Sequence, residues 1–340
     1  MSLTFLDFFA GIGGFRRGME LAGHKCIGFC EWDKFAVMSY TSMHLITEDQ
    51  RQLLLQLPIK HRQKEILKEE YRNGEWYAND IRTVNVRDLP KADVWCFGFP
   101  CQDISIAGKR LGFAGKRSSL FFTVTGLIKD LEEKDKPSML FIENVKNLLS
   151  VNRGLDFAKL LIELDEIGYD VEWQVLNTKD FGIPQSRERV FIIGFLRGRS
   201  RREVLPVRGS GCKNNFPLLK PKKYGDGILI RDVNKKGYSL AEVGDSISLA
   251  FLNSKTKRGR VGKGKVHTLT TACNQAVVCE KDRTPKIRKL TPRECFRLQG
   301  WTDYYFDKAA IVNSDNQLYK QAGNGVTVKV IQNIATKFHH

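Results

Sequence analysis

The chain has 340 residues, 42% of them hydrophobic, and its 55 Lys+Arg against 38 Asp+Glu give a formal net charge of +17. That length suits two domains, or one large domain carrying an insertion, and so basic a chain is most simply matched to a polyanion. Eight cysteines are too sparse for a disulfide scaffold, and Cys26 and Cys30 lack a second pair at metal-ligand spacing. No apolar run approaches the ~18 residues of a membrane span, and MSLTFLDFFAG lacks the flank and cleavage site of a signal peptide. The expectations are reduced thiols, no metal, no membrane and a cytoplasmic location.

In chain order, short apolar runs recur as LTFLDFF, KCIGFCEW, ADVWCFGF, SMLFIENV, YDVEWQVLN and RVFIIGFL. Helical patterns follow Gly13 and span Lys34 to Tyr40, Leu120 to Leu131 and Leu155 to Ile167. Such alternation predicts a mostly parallel sheet covered on both faces. Leu45 to Tyr71 reads as an added helical excursion with a solvated charged face. Residues 197 to 265 then hold 18 Lys+Arg and 5 Asp+Glu, a net +13 broken by Gly, Pro and Asn. This predicts a polyanion-binding module, with Ile228, Leu229, Ile230, Leu249, Phe251 and Leu252 as its small core. Near the end, Val326, Val330, Ile334 and Phe338 make one apolar helix face, entered through Asn324-Gly325 and expected to pack on the N-terminal sheet.

The first strand runs into Asp7-Phe8-Phe9-Ala10-Gly11-Ile12-Gly13-Gly14-Phe15. A glycine-rich turn between strand and helix lets a cofactor approach the backbone, and Glu31, twenty residues past Gly11, suits ribose hydroxyls. Arg16 occupies the third glycine position of a dinucleotide fingerprint. The turn therefore fits a nucleoside cofactor without phosphates, such as S-adenosyl-L-methionine, better than a pyrophosphate. Asp80, in Asn79-Asp80-Ile81, is either an acceptor for an adenine amino group or a surface turn residue.

In CFGFPCQDIS, residues 96 to 105, Cys96 lies within an apolar strand, where a free cysteine acts as a small hydrophobe. Cys101 follows Gly98-Phe99-Pro100, a rigid exit that aims the next side chain at the sheet's carboxyl edge. Glu143, beside Asn144 at the end of an apolar strand, would have its neutral form favoured if desolvated there. Gln185-Ser186-Arg187-Glu188-Arg189 adds a charged cluster before VFIIGFL. Taken singly, each is explained as well by a salt-bridged loop.

Taken together and in order, Asp7 to Phe15 with Glu31-Trp32, Asn79 to Ile81, Gly98 to Gln102, Phe141 to Val145, Gln185 to Arg189, Arg288 to Trp301 and Gln321 to Val326 resemble the motifs of the DNA cytosine-5 methyltransferases, close to the compact bacterial members. The likeness spans both ends of the chain and skips mainly the basic region, which in that family is the target recognition domain. It implies an α/β, Rossmann-like methyltransferase domain over 1–196, with the helical excursion at about 45–75, and over 287–340. A smaller, irregular target recognition domain would be inserted at 197–286.

The resemblance also implies the reaction, methyl transfer from S-adenosyl-L-methionine to carbon 5 of cytosine in a specific double-stranded DNA sequence. Cys101 would add to carbon 6, because carbon 5 is a poor nucleophile until the ring becomes an enamine. Glu143 would hold ring nitrogen 3 and the exocyclic amine, Arg189 the ring carbonyl, with Asn144 and Arg187 in support. Phe9 and Trp32 would lie against adenine, Glu31 on the ribose, and Asp80 and Ile81 at the adenine edge. Asp7, Gly11, Gly13, Gly14, Pro100, Leu120, Asn324 and Val326 would close the rest. The base must be flipped out of the stack. A loop from Gln102 through Ser105, Lys109 and Arg110 to Ser119 would close on DNA, with Thr268-Leu269 near the flipped nucleotide. Ala107 stands where some relatives carry serine, and Gly325 where serine or alanine is usual. The implied partner is double-stranded DNA, a restriction endonuclease could act separately, and a monomer is the simplest assembly.

Other readings fit less of the chain. A cysteine hydrolase would need a partner motif around His24, His44 or His267 and has no use for the cofactor turn, while the glycine spacing disfavours a nicotinamide oxidoreductase. A non-catalytic DNA-binding protein would be expected to lose Cys101 or Glu143. A tRNA methyltransferase of the same architecture is the closest rival, and the long basic insertion favours duplex DNA.

Overall fold

The computed structural model describes residues 2–100, 120–199, 203–209, 227–250, 254–256, 259–272 and 274–339. Cys101, Gln102, Ser105, Ala107, Lys109 and Arg110, and likewise Phe251 and Leu252, lie outside the described residues.

The first part of the chain forms β1 (Thr4–Phe8), α1 (Gly14–Leu21), β2 (Lys25–Cys30), α2 (Lys34–Tyr40), α3 (Glu48–Leu55), α4 (Ile59–Glu65), β3 (Trp76–Ala78), β4 (Val94–Phe97), α5 (Leu120–Asp130), β5 (Met139–Val145), α6 (Leu155–Glu166), β6 (Tyr169–Asn177), β7 (Gln185–Ser186) and β8 (Glu188–Leu196). Among the described residues seven of these strands make one sheet in the order β3-β2-β1-β4-β5-β8-β6. It is parallel from β3 to β5 and antiparallel where β8 meets β5 and β6. Each apolar run of the sequence is thus a strand, and each helical pattern between them a helix.

Because alternate strand residues face opposite ways, the sheet divides its side chains between two cores. Leu6, Phe8, Trp95, Phe97, Leu140 and Ile142 pack with Phe121, Val124 and Ile128 of α5 and Leu160 and Leu164 of α6. Phe5, Val94, Cys96 and Phe141 pack on the other face with Phe15 and Met19 of α1. Burying one such side chain contributes about 1.5–3 kcal/mol, so both faces are firmly closed. Cys96, fully buried, does the packing expected of it, and burial pushes its thiol well above the ordinary range.

The basic region carries β9 (Ile228–Arg231), β10 (Tyr238–Ala241), β11 (Ser246–Ser248), β12 (Val261–Gly262), β13 (Val266–His267), β14 (Gln275–Lys281) and β15 (Thr284–Lys289). Its described part contains an antiparallel sheet, β12-β11-β14-β15, and a β9-β10 hairpin, while β13 pairs with β7 of the larger domain. β15 carries this sheet to Lys289, past the expected boundary at 286. The core expected here needs correction. Ala241, Ile247, Ala276 and Val278 form it, with Ile228, Ile230 and Leu249 alongside. Leu229 is 61% exposed, because strand alternation turns it away from its two isoleucine neighbours.

The chain then returns through α7 (Pro292–Arg297), α8 (Asp303–Ala310), α9 (Asp315–Asn324) and α10 (Val328–Ala335). A capping box between Thr291 and Glu294 starts α7. Val330 and Ile334 of α10 and Phe338 just after it join the Phe5 and Phe141 core beside α1. Among the described residues no helix is long and apolar enough to cross a membrane, and no three His, Cys, Asp or Glu side chains group as metal ligands.

Candidate functional site

Topology fixes where a ligand site falls. The chain steps outward from β1 to β2 and β3, then crosses back to β4 on the other side of β1. Ligands of open α/β sheets bind beyond the carboxyl ends at such a reversal. The turn from Phe9 to Gly14 leaves β1 there, Glu31 and Trp32 follow β2, Asp80 and Ile81 follow β3, Gly98 to Pro100 follow β4, and Glu143 and Asn144 end β5. Arg189, on antiparallel β8, lies opposite Val145. Residues spread over most of the sequence thereby share one edge.

The glycine turn is held tightly on one side and open on the other. Gly13 caps α1 at φ 82°, in the left-handed region that favours glycine. A Cβ on Gly14 would fall 2.6 Å from Val326 Cγ2, so Val326 packs where only glycine fits. Phe9 also takes a positive φ, 54°, at a cost of about 1–2 kcal/mol for a residue with a Cβ. A Cβ on Gly11, by contrast, would meet nothing within 4 Å.

Acidic side chains line this opening. Glu31 accepts the Gly11 N–H at 2.8 Å and the Asp33 N–H at 2.6 Å, and burial raises its carboxyl against those two donors. Asp7 is fully buried: Oδ2 accepts the Arg16 N–H at 3.2 Å, and Oδ1 has no hydrogen-bond partner among the described residues. Burial pushes Asp7 well above the carboxylate range. Asp80 caps the short turn Ile81–Thr83 by accepting the Arg82 N–H at 3.0 Å, while Ile81 plugs into the core. Trp32 is 64% exposed. Asn324 is exposed, Gly325 and Val326 are half-buried, and Leu120 opens α5. Gly325 is extended at φ −67°, a backbone any residue adopts, which explains why serine or alanine could serve there.

On the other side of the reversal, Glu143 is 8% exposed and pairs through Oε1 with Arg189 Nε at 3.0 Å. Burial raises the Glu143 carboxyl, against the pull of Arg189 and Arg187. Its Oε2 would lie 3.3 Å from a Cβ on Gly98. Asn144 donates from Nδ2 to the Phe99 carbonyl at 3.1 Å and accepts the Val145 N–H at 2.8 Å, fixing the strand exit before Pro100. Arg187 is buried and donates to the carbonyls of Leu269, Gly323 and Gly325 at 3.2, 3.2 and 2.9 Å. It thus ties the Thr268-Leu269 segment to the chain just before Val326. Thr268 donates from its hydroxyl to the Ser186 carbonyl at 2.7 Å.

A second layer was not foreseen in the sequence. Arg16, the residue that broke the dinucleotide pattern, pairs with Glu75 at 2.5 Å and Glu20 at 2.8 Å and donates to the Tyr40 hydroxyl at 3.2 Å. His44 sits on a π-turn, Thr41–Leu45, with Nε2 3.0 Å from the Ile12 carbonyl. Burial, reinforced by Arg16, keeps its imidazole well below its usual pKa, so the neutral ring donates and props the turn. π-Turns cluster at functional sites, but neither contact has a sequence signal beyond charge or aromaticity in an amphipathic helix.

The sheet order, the glycine turn and the edge of acids together define an α/β methyltransferase fold. The family profile for C-5 cytosine-specific DNA methylase matches residues 3–61 and 55–340. Type II methyltransferase M.HhaI of Haemophilus parahaemolyticus is 32% identical over 98% of this chain and 93% of its own length. Type II methyltransferase M.HaeII of Haemophilus aegyptius is 33% identical over 97% and 91%. Among solved structures, S. pombe Dnmt2 methyltransferase superposes with a TM-score of 0.64 at 17% identity, covering 98% of this chain and 97% of that one. Entamoeba histolytica methyltransferase EhMeth gives 0.60 at 18%, covering 99% and 98%. This chain belongs to the C-5 cytosine-specific DNA methylase family.

Proposed function

We propose that this chain transfers a methyl group from S-adenosyl-L-methionine to carbon 5 of a flipped-out cytosine within a specific double-stranded DNA sequence. The observation that carries the chemistry is the buried Glu143–Arg189 pair at 3.0 Å, set against Gly98 three residues before Cys101. A protonated Glu143 donates to ring nitrogen 3 and accepts from the exocyclic amine, while Arg189 donates to the ring carbonyl. That edge matches cytosine and no other DNA base. Protonation at nitrogen 3 draws electrons from carbon 6, where the Cys101 thiolate adds. The sulfur–carbon 6 bond forms as the ring double bond becomes an enamine.

S-Adenosyl-L-methionine would supply an electrophilic methyl carbon: as carbon 5 bonds to it, the methyl–sulfonium bond would break and the sulfur would leave as the neutral thioether of S-adenosyl-L-homocysteine. Loss of the carbon 5 proton to a base and cleavage of the sulfur–carbon 6 bond then restore the ring and the thiolate. The residues at the reversal fit this cofactor: open space at Gly11, an exposed indole at Trp32, a fixed carboxylate at Glu31 and acceptors at Asp80. Asn144 keeps the strand exit rigid ahead of Cys101, and Arg187 holds Val326 and the Thr268 segment in register. We assign 1–196 and 290–340 to catalysis and the basic 197–289, through the end of β15, to target recognition. Its charge and the type II relatives support duplex DNA over tRNA. Labelled methyl donor should mark plasmid DNA, and bisulfite sequencing should place 5-methylcytosine in one sequence context. Label in tRNA alone would overturn the reading.

A further inference from the structure

Arg82 joins two of the residues assigned to the adenine end of the cofactor. Its Nε donates to Asp80 Oδ1 at 2.9 Å and its Nη2 to Asp80 Oδ2 at 2.5 Å, a two-pronged grip on the carboxylate. Its guanidinium carbon lies 4.8 Å from the centroid of the Trp32 ring. The backbone forces this arrangement. Ile81 is buried in the core, so the next residue of the turn must point outward, and the Asp80 cap holds the Arg82 N–H in place.

Stability does not account for the contact. The Arg82 side chain is 52% exposed, and such surface pairs contribute about 0–1 kcal/mol. Its effect falls instead on an exposed indole and on a half-buried carboxylate that, among the described residues, is otherwise held only by the Arg82 N–H. Arg82 engages both carboxylate oxygens, with its N–H and Nε on Oδ1 at 3.0 and 2.9 Å and its Nη2 and Nε on Oδ2 at 2.5 and 3.1 Å, which fixes the plane in which the carboxylate faces the adenine end. Guanidinium stacking occupies one face of Trp32 and leaves the other for a purine.

We infer that Arg82 is a positioning residue for the adenine end of the methyl donor, holding Trp32 and Asp80 in their binding orientations before the cofactor arrives. The inference rests on the cofactor reading above. Pre-ordered side chains spare the ordering cost of binding, roughly two- to tenfold in affinity for each group held.

Calorimetric titration of the full-length protein with S-adenosylhomocysteine and with 5′-methylthioadenosine tests this. Arg82→Ala should weaken both by roughly three- to tenfold, since both carry adenine, and raise KM for S-adenosyl-L-methionine with kcat within about twofold. In a Trp32→Ala background the Arg82→Ala loss should shrink, because the two act as one unit. Arg82→Lys, which keeps the charge but loses the fork, should fall between and covers the case of a poorly folding Ala variant. Unaltered affinity in Arg82→Ala and Arg82→Lys, or fully additive losses with Trp32→Ala, would overturn the inference. Failure of the unmodified protein to bind S-adenosylhomocysteine would instead overturn the cofactor reading itself.

Discussion

The carboxyl edge of the parallel sheet and the inserted basic module handle charge in opposite ways. At the edge, charged groups are desolvated and held: Asp7 is 0% exposed, Arg187 3% and Glu143 8%. In the module Arg231, Lys235, Lys236, Lys255, Lys263 and Lys265 are exposed. Lys263 there pairs with Asp245 at 2.6 Å and Glu242 at 3.0 Å, contacts worth about 0–1 kcal/mol near the surface. A desolvated charge acts on one atom at short range, whereas solvated charges sum into a field that salt screens. Under the proposed function, the edge serves the chemical step and the module serves affinity. The two should respond differently to mutation, pH and salt.

The largest effect should come from Cys101→Ser, with turnover reduced by at least about 10⁴-fold while DNA binding in a gel-shift assay survives. Loss of binding in step with turnover would erase the distinction between edge and module. Glu143→Gln should lower kcat by roughly 10²–10⁴-fold. The sign of its pH dependence follows from burial, which raises the carboxyl. The neutral form that donates to nitrogen 3 persists above the usual carboxylate range and is lost as pH rises through the raised value. A pH–kcat profile should fall on its basic side for that reason, and the Glu143→Gln variant should lack that limb.

Arg187→Met should act on the fold that joins the regions. Two buried carbonyls and a half-buried one lose a charged donor, a cost of about 3 kcal/mol, read as an earlier midpoint in urea unfolding. The smallest effect belongs to the module: Lys255→Gln with Lys265→Gln should reduce the slope of log K against log salt by roughly 1.8, at ~0.9 per phosphate contact. The single-turnover rate at saturating DNA should not change with it. A changed rate with an unchanged slope would place those lysines in the chemistry.

What could be read from the sequence differs between the same two regions. In the larger domain, strand and helix periodicity locates β1, β2, β4, β5, β6 and β8, and residues at strand ends collect on one edge because parallel strands all finish on that side. The partners of those residues were hidden. Arg16 and Glu75 are 59 positions apart, and a charge read alone defaults to the surface. His44 reaches Ile12, and Arg82 reaches back to Trp32, only because the fold brings their elements together. In the module, charge is legible but not the side chains that make its core: strand alternation turns Leu229 outward between Ile228 and Ile230, which apolar content alone does not reveal.

The claim that Cys101 attacks carbon 6 has a direct test. Duplex DNA carrying 5-fluorocytosine at the methylated position accepts the methyl group but cannot lose fluorine as it would a proton, so the sulfur–carbon bond should persist. Incubation with S-adenosyl-L-methionine should give a protein–DNA complex that survives denaturing electrophoresis, with mass spectrometry placing the link on Cys101. A link on any other residue, or a complex of equal yield from Cys101→Ser, would contradict the account.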